Sequence, residues 1–311
     1  EESGYGKNLN NGKILAPSKK ELNLLNFKDV EDYFKKFSPT VVIIAAAKVG
    51  GIFANSQHPS EFILDNLKIQ NNIIENSWKN GVKRLLFFGS SCIYPKFSKQ
   101  PIKEESLLTS SLEITNEYYA IAKIAGIKLC AALRKQYNFD SICLMPTNLY
   151  GEGDNYHINN SHVVPALIRR FYEAKKNNYE YVKCWGSGSP RREFMNVEDL
   201  GSASVFVLEN WNPDKKNCSE NFHGQEPLNY LNVGTGKDIS IKELAEKIAQ
   251  KFNYKGKILW DNSKPDGTPR KLLDVSRINS LGWKAKIDLD NGIEKTIQKF
   301  EENYATGNLR L

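Results

Sequence analysis

Short apolar runs that alternate with helical stretches constrain this chain more than any other feature. Val41 to Ala47 (VVIIAAA), Lys83 to Phe88 (KRLLFF) and Ser141 to Met145 (SICLM) are bounded by turn residues and separated by long stretches of helical composition. Runs of this kind read as strands buried on both faces, and strands alternating with helices imply βαβ units and a parallel sheet. Helices are expected at Leu24 to Phe37, Pro59 to Asn80 and Asn116 to Arg134, with another strand at Asn229 to Asn232. Lys13 to Ala16 reads as a further strand, and Glu1 to Gly6 resembles a helix end with a glycine stop. A doubly wound dinucleotide-binding sheet normally opens with a strand and a Gly-x-x-Gly-x-x-Gly type turn. No such turn precedes Lys13, so the first strand and glycine loop are expected to be missing from this chain.

Beyond Gly151 the loops lengthen and become more polar. Helices are expected at Ser161 to Asn177, from near Val197, at Ser240 to Phe252 behind a Ser240 cap, and at Leu289 to Tyr304. Trp185 to Phe194 and Asp261 to Arg270 read as turn-rich loops. The expected class is α/β: a doubly wound parallel Rossmann-type sheet with a smaller C-terminal α/β substrate domain. Residues 1–155 would form the dinucleotide-binding domain, 156–311 would mainly bind substrate, and part of 194–235 would return to the first.

Composition narrows the function classes. With 40% hydrophobic and 25% charged residues over 311 positions, the chain has the balance of a globular protein. Its longest apolar run, Val41 to Ala47, is far short of the roughly 20 residues that span a bilayer, so no membrane role is expected and the cytoplasm is the default. A net charge of +7 could suit nucleic acid, but the lysines are dispersed and no nucleic-acid motif appears. Anionic substrates such as nucleotide diphosphates fit better. The five cysteines (Cys92, Cys130, Cys143, Cys184, Cys218) form no Cys-x-x-Cys pair and no cluster with histidine, so neither a metal site nor a disulfide framework is expected.

The strand from Lys83 ends Gly89-Ser90-Ser91-Cys92 and so delivers polar groups at its carboxyl end, where open α/β sheets place their chemistry. One helix later come Tyr119 and Lys123, on one helical face at a four-residue interval. An adjacent ammonium would favour the phenolate and lower a phenol's pKa from about 10. Such a tyrosine can hand a proton to a carbonyl oxygen. The Tyr-x-x-x-Lys spacing also occurs at Tyr172/Lys176 and Tyr179/Lys183, but only Tyr119 follows a strand ending Gly-Ser-Ser.

The stretches AAAKVGGI, GSSCIYP, KQPI, YAIAKIAGIKLC, MPTNLYG, NSHVVPALIRRF, WGSGSPRREF, NVGTG and KPDGTPRKLLDV together resemble the GDP-L-fucose synthase family of extended short-chain dehydrogenases/reductases, from about Glu21 to the carboxyl end. The resemblance implies an NADPH-dependent enzyme that epimerises GDP-4-keto-6-deoxy-D-mannose at C3 and C5 and then reduces its C4 ketone. On that resemblance Ser90 would hydrogen-bond the C4 oxygen and Tyr119 would protonate it. Lys123 would bind the nicotinamide ribose and tune the phenol, while Cys92 and His162 would be the acid/base pair of the epimerisations. The NADP(H) site would include Phe88, Gly89, Ser90, Ser91, Lys123, Pro146, Thr147, Asn148, Leu149 and His162. Arg170, Trp185, Arg192 and Asp266 would bind the GDP-sugar, with Lys271 as a further anion contact. Gly234 and Gly236 read as turn formers. Ser18 and Lys19, after the Lys13 to Ala16 stretch, stand where a 2′-phosphate reader would sit. A homodimer is expected through Pro59 to Asn80 and Asn116 to Arg134.

Two rivals are weighed. A nucleotide-sugar 4-epimerase or 4,6-dehydratase of the same superfamily needs no second acid/base pair for C3 and C5, which Cys92 and His162 would supply. A non-catalytic GDP-sugar-binding homologue would have no use for an intact Ser90, Tyr119 and Lys123.

Overall fold

The computed structural model describes residues 12–213, 222–223 and 226–311. The helix end read at Glu1 to Gly6 lies outside them. In chain order the elements are α1 (Phe27–Phe37), β1 (Val41–Ile44), α2 (Ile52–Gln57), α3 (Pro59–Lys79), β2 (Arg84–Phe88), α4 (Glu117–Tyr137), β3 (Ser141–Pro146) and β4 (Asn148–Tyr150). Then follow α5 (Val163–Lys176), β5 (Tyr181–Trp185), β6 (Arg191–Asn196), α6 (Val197–Asn210), the short pair β7 (Phe222–His223) and β8 (Glu226–Pro227), and β9 (Tyr230–Val233). The chain ends with β10 (Asp238–Ser240), α7 (Ile241–Lys251), β11 (Lys257–Asp261), β12 (Arg270–Lys271), α8 (Ser276–Ser280) and α9 (Leu289–Thr306).

The main sheet runs β1-β2-β3-β9 with every pair parallel. Because successive side chains point to opposite faces, Leu85, Phe87, Cys143 and Met145 join a core with α3 and α4, while Leu86, Ile142, Leu144 and Leu231 join a second core with α6 and α8. Both faces are thus covered by helices, as the near-continuous apolar strands require. A third core unites α5, α7, α9, β5 and β11. Its helix α7 starts at a capping box: the Ser240 hydroxyl accepts from the Glu243 amide, and the Glu243 carboxylate accepts from the Ser240 amide. Such caps are worth about 1 kcal/mol.

Two expectations are corrected. Lys13 to Ala16 is not a strand but irregular chain. An extended segment becomes a strand only when a neighbour closes its hydrogen bonds, and among the described residues β1 pairs on one side alone, with β2. Arg191 to Asn196, read as part of a loop, is strand β6, paired with β4, β10 and β12. Its polar residues find partners far along the chain. Arg191 pairs with Asp238 at 3.1 Å, and the Glu193 carboxylate accepts from the amides of Thr235, Gly236 and Leu273. The run RREFMN therefore lacks a strand's apolar pattern while behaving as one.

Glycine marks the tightest contact between layers. A Cβ on Gly126 in α4 would lie 2.6 Å from the buried Phe87 ring and 2.9 Å from the Gln70 side-chain oxygen. Gly201, midway along α6, has open space in the same test. Gly126→Ala is therefore expected to destabilise the protein by about 1–2 kcal/mol despite alanine's better helix propensity, and Gly201→Ala to stabilise it by about 0.5–1 kcal/mol. Urea unfolding of the two variants checks both signs.

Candidate active site

Strand β2 ends at Phe88 and carries the chain through Gly89 to Ser90. A side chain at position 89 would collide with the Met145 sulfur, so the strand end packs directly on β3. The Ser90 hydroxyl accepts from the Cys92 amide at 3.2 Å, capping one turn of 3₁₀ helix (Ser91–Ile93) that holds Cys92 half-buried beside it. Lys123 comes from α4 and is almost fully buried; its ammonium donates to the Phe88 carbonyl at 2.8 Å and lies 5.9 Å from the Tyr119 ring centroid. The other two Tyr-x-x-x-Lys pairs sit elsewhere. Tyr172 belongs to an aromatic cluster with Phe252, Phe300 and Tyr304, and Lys183 pairs with Asp261.

Electrostatics here depart from the simple spacing argument. Burial pushes the Tyr119 phenol well above its usual value, the nearby Cys92 pushes the same way, and a hydrogen bond with Ser90 opposes both. Burial also pulls the Lys123 ammonium down to about 8. The expected lowering of the phenol by Lys123 is therefore not what this arrangement gives: burial raises the phenol, and the ammonium is turned to the Phe88 carbonyl.

Cys92 is surrounded by cationic and amide groups. Lys271, which follows directly on Arg270 in β12, places its ammonium 3.5 Å from the Cys92 sulfur, and Asn116 places its amide nitrogen 3.2 Å from it. Arg192 lies close enough to interact electrostatically with Cys92, while burial lowers its own pKa. Its guanidinium donates to the carbonyls of Arg191 at 2.9 Å and Asp266 at 3.3 Å. The Asp266 carboxylate accepts from the Ser187 amide and hydroxyl, both at 2.8 Å, and so shapes the turn after Trp185. Trp185 has the Arg170 guanidinium 5.1 Å and the Lys264 ammonium 5.5 Å from its ring. Burial also lowers Arg170.

His162 stands at the N-cap position of α5 without a side-chain cap bond; burial lowers its imidazole pKa and the Asp154 carboxylate pushes it back up. The neighbouring Ser161 carbonyl closes on the loop after β1, where a Cβ at Gly51 would lie 3.0 Å from it. Ile52, the next residue and the first of α2, meets Gly267, which also faces Arg192. The β1 loop thus links the His162 and Arg192 segments. On the far side of Ser90, Pro146 ends β3 beside Val233, and Leu149 lies opposite Met195. Thr147 and Asn148 both donate to the Glu193 carbonyl, at 3.1 and 2.8 Å.

Sequence reasoning missed Asn116, Asp154 and Glu193. Asn116 and Cys92 are 24 positions apart, and no local pattern marks such a pair. Among the described residues no group of three His, Cys, Asp or Glu side chains is placed to hold a metal ion, and no helix is long and apolar enough to cross a membrane.

Residues 4–219 match the NAD dependent epimerase/dehydratase family. The chain is 52% identical over 290 residues to GDP-L-fucose synthase 1 of Arabidopsis thaliana, covering 93% of this chain and 85% of that one. It is 51% identical over 290 residues to the GDP-L-fucose synthase of Escherichia coli K12, covering 93% and 89%. Its structure is similar to a GDP-mannoheptose C4 reductase from Campylobacter jejuni with NADP bound, at TM-score 0.84 and 34% identity over 96% of this chain and 93% of that one. A parallel sheet with hydroxyl, phenol and ammonium groups at its carboxyl edge is the frame of a dinucleotide-dependent enzyme. The chain belongs to the NAD dependent epimerase/dehydratase family.

The buried Lys123 carries a pH signature. A folded pKa near 8 lies below the unfolded lysine value of about 10.4, so the unfolded chain binds more protons between them and stability from this group rises with pH there. In urea unfolding from pH 7 to 10.5, the stability difference between the protein and Lys123→Met is expected to shift toward the protein as pH rises through that window. A pH-independent difference would contradict the assignment.

Proposed function

We propose that this chain converts GDP-4-keto-6-deoxy-D-mannose to GDP-L-fucose by inversion at C3 and C5 followed by NADPH-dependent reduction of the C4 ketone. The observation that carries the reading is the placement of Cys92, with Lys271 at its sulfur, beside Ser90 and Tyr119 at one strand end. Curated proteins about half identical to this chain over most of its length are named GDP-L-fucose synthases, which supports the same substrate.

The physical logic is that both reacting carbons are alpha to one carbonyl. Removing a proton from C3 or C5 puts negative charge on the C4 oxygen, so one pair of donors, Ser90 and Tyr119, serves both inversions and the later reduction. Burial suits Tyr119 to this task because it keeps the phenol protonated and able to donate. Inversion needs one group to take a proton and another to return one on the opposite face, and Cys92 and His162 supply that pair. Lys271 and Arg192 bring positive charge close to the sulfur.

The cofactor is NADP(H), which when bound supplies the hydride. The residues fit it: Lys123 spends one of its three donors on Phe88 and keeps the others at the sheet's carboxyl edge. Phe88 to Ser91, Pro146 to Leu149 and His162 would complete the nicotinamide side. Arg170 and Arg192 would meet the diphosphate, Trp185 would offer its exposed ring to the nucleotide sugar, and Asp266 would hold the Ser187 turn between them. In this reading residues 156–311 mainly hold the GDP-sugar, with part of 194–235 returning to the dinucleotide-binding half. Exposed Leu64 on α3 and Tyr118 and Ile121 on α4 support a homodimer through those helices. We place the enzyme in the cytoplasm.

Two variants separate the steps. Tyr119→Phe is expected to slow NADPH oxidation with GDP-4-keto-6-deoxy-D-mannose by about 10²–10⁴-fold. Cys92→Ser is expected to slow solvent deuterium entry at C3 and C5 by at least about 10²-fold while leaving NADP(H) affinity unchanged. Cys92→Ser exchanging at the parent rate would remove Cys92 from the reaction.

A further inference from the structure

Asn116 stands at the N-cap of α4, one turn before Tyr119, yet its side chain makes no cap hydrogen bond. Asparagine is among the best capping residues, and forgoing the cap costs about 1 kcal/mol. Instead the Asn116 amide nitrogen lies 3.2 Å from the Cys92 sulfur. The same side chain bears a second cost. Its amide oxygen is buried and has no donor among the described residues. Buried polar groups are rarely left unpaired, and each one calls for a reason such as a catalytic role, a water or an ion. The residue is firmly held: its own amide donates to the Glu113 carbonyl at 3.1 Å, and the Glu113 carboxylate pairs with Lys96 at 2.9 Å. Lys271 approaches the sulfur as a donor too, so the site offers the thiolate two donors from separate elements.

We propose that Asn116 is a positioning residue for Cys92: its amide N–H donates to the sulfur and holds it in place for proton transfer. The inference rests on the epimerase reading of Cys92. A hydrogen bond to a charged acceptor is strong because the charge forms only in the thiolate state, so its loss falls on the reactive form.

The test is the rate of Cys92 alkylation by iodoacetamide at pH 7.5 in the substrate-free protein, followed by mass spectrometry of the Cys92 peptide. Asn116→Ala is expected to slow it about tenfold. Asn116→Asp is expected to slow it further, because a carboxylate beside the sulfur opposes the thiolate, although aspartate caps a helix as well as asparagine does. Solvent deuterium entry at C3 and C5 should fall in the same order. A purely structural Asn116 would make Asn116→Asp the milder change. Alkylation of Asn116→Ala within twofold of the parent, or a parent-like Asn116→Asp, overturns the proposal. Alkylation needs no substrate, so a parent protein that made no GDP-L-fucose would defeat the functional reading while these rates still decided the role of Asn116.

Discussion

The buried carboxylate of Glu193 is the constraint on which the site's layout depends. It accepts from the amides of Thr235, Gly236 and Leu273, and its main-chain carbonyl accepts from Thr147 and Asn148. One residue therefore ties β6, which carries Arg192, to the turn after β9, to the chain after Lys271, and to the segment after β3. Burial pushes its pKa up, against the pull of those amide donors. Removing the carboxylate would leave three N–H groups without their acceptor, and for the buried one of Leu273 that costs about 1–3 kcal/mol. Gly234 belongs to the same arrangement, because any side chain there would collide with the Glu193 carboxylate.

Around that tie the chemistry is set by desolvation and charge together. Burial acts in opposite directions on Tyr119 and Lys123, raising the acid and lowering the base, so that both neutral forms gain. A phenol that keeps its proton is a better donor to a developing oxyanion than one already ionised. Cys92 sits in a different setting, half-exposed and faced by the cations of Lys271 and Arg192. Two neighbouring groups thus meet different surroundings, the phenol desolvated and the sulfur faced by cations.

Much of this was legible in sequence, for identifiable reasons. β1, β2 and β3 are largely apolar on both faces, so their composition alone marks them, and the helices between them carry their own start and stop signals. That Ser90, Tyr119 and Lys123 meet at one strand end followed from strand order and helix spacing. Strand β6 was not legible because Arg191 and Glu193 are satisfied by Asp238 and by backbone amides 42 to 80 positions away. β11 was missed because it is a five-residue run whose partner, β5, lies some 76 positions back along the chain. Asn116 escaped because its partner is chosen by the fold, and Lys13 to Ala16 misled because a β-like run without a ladder is not a strand. Asp266 reads differently in three dimensions, where its carboxylate is spent on the Ser187 turn.

The central claim is that one oxyanion site serves proton exchange at two carbons and then reduction at a third. Turnover of GDP-4-keto-6-deoxy-D-mannose with unlabelled NADPH in deuterium oxide, read by NMR of the product, tests it most directly. The account predicts GDP-L-fucose with deuterium at C3 and C5, none at C4, and one NADPH oxidised per sugar. A reduced product with its original configuration and protons at C3 and C5 would contradict it, leaving a simple C4 ketone reductase.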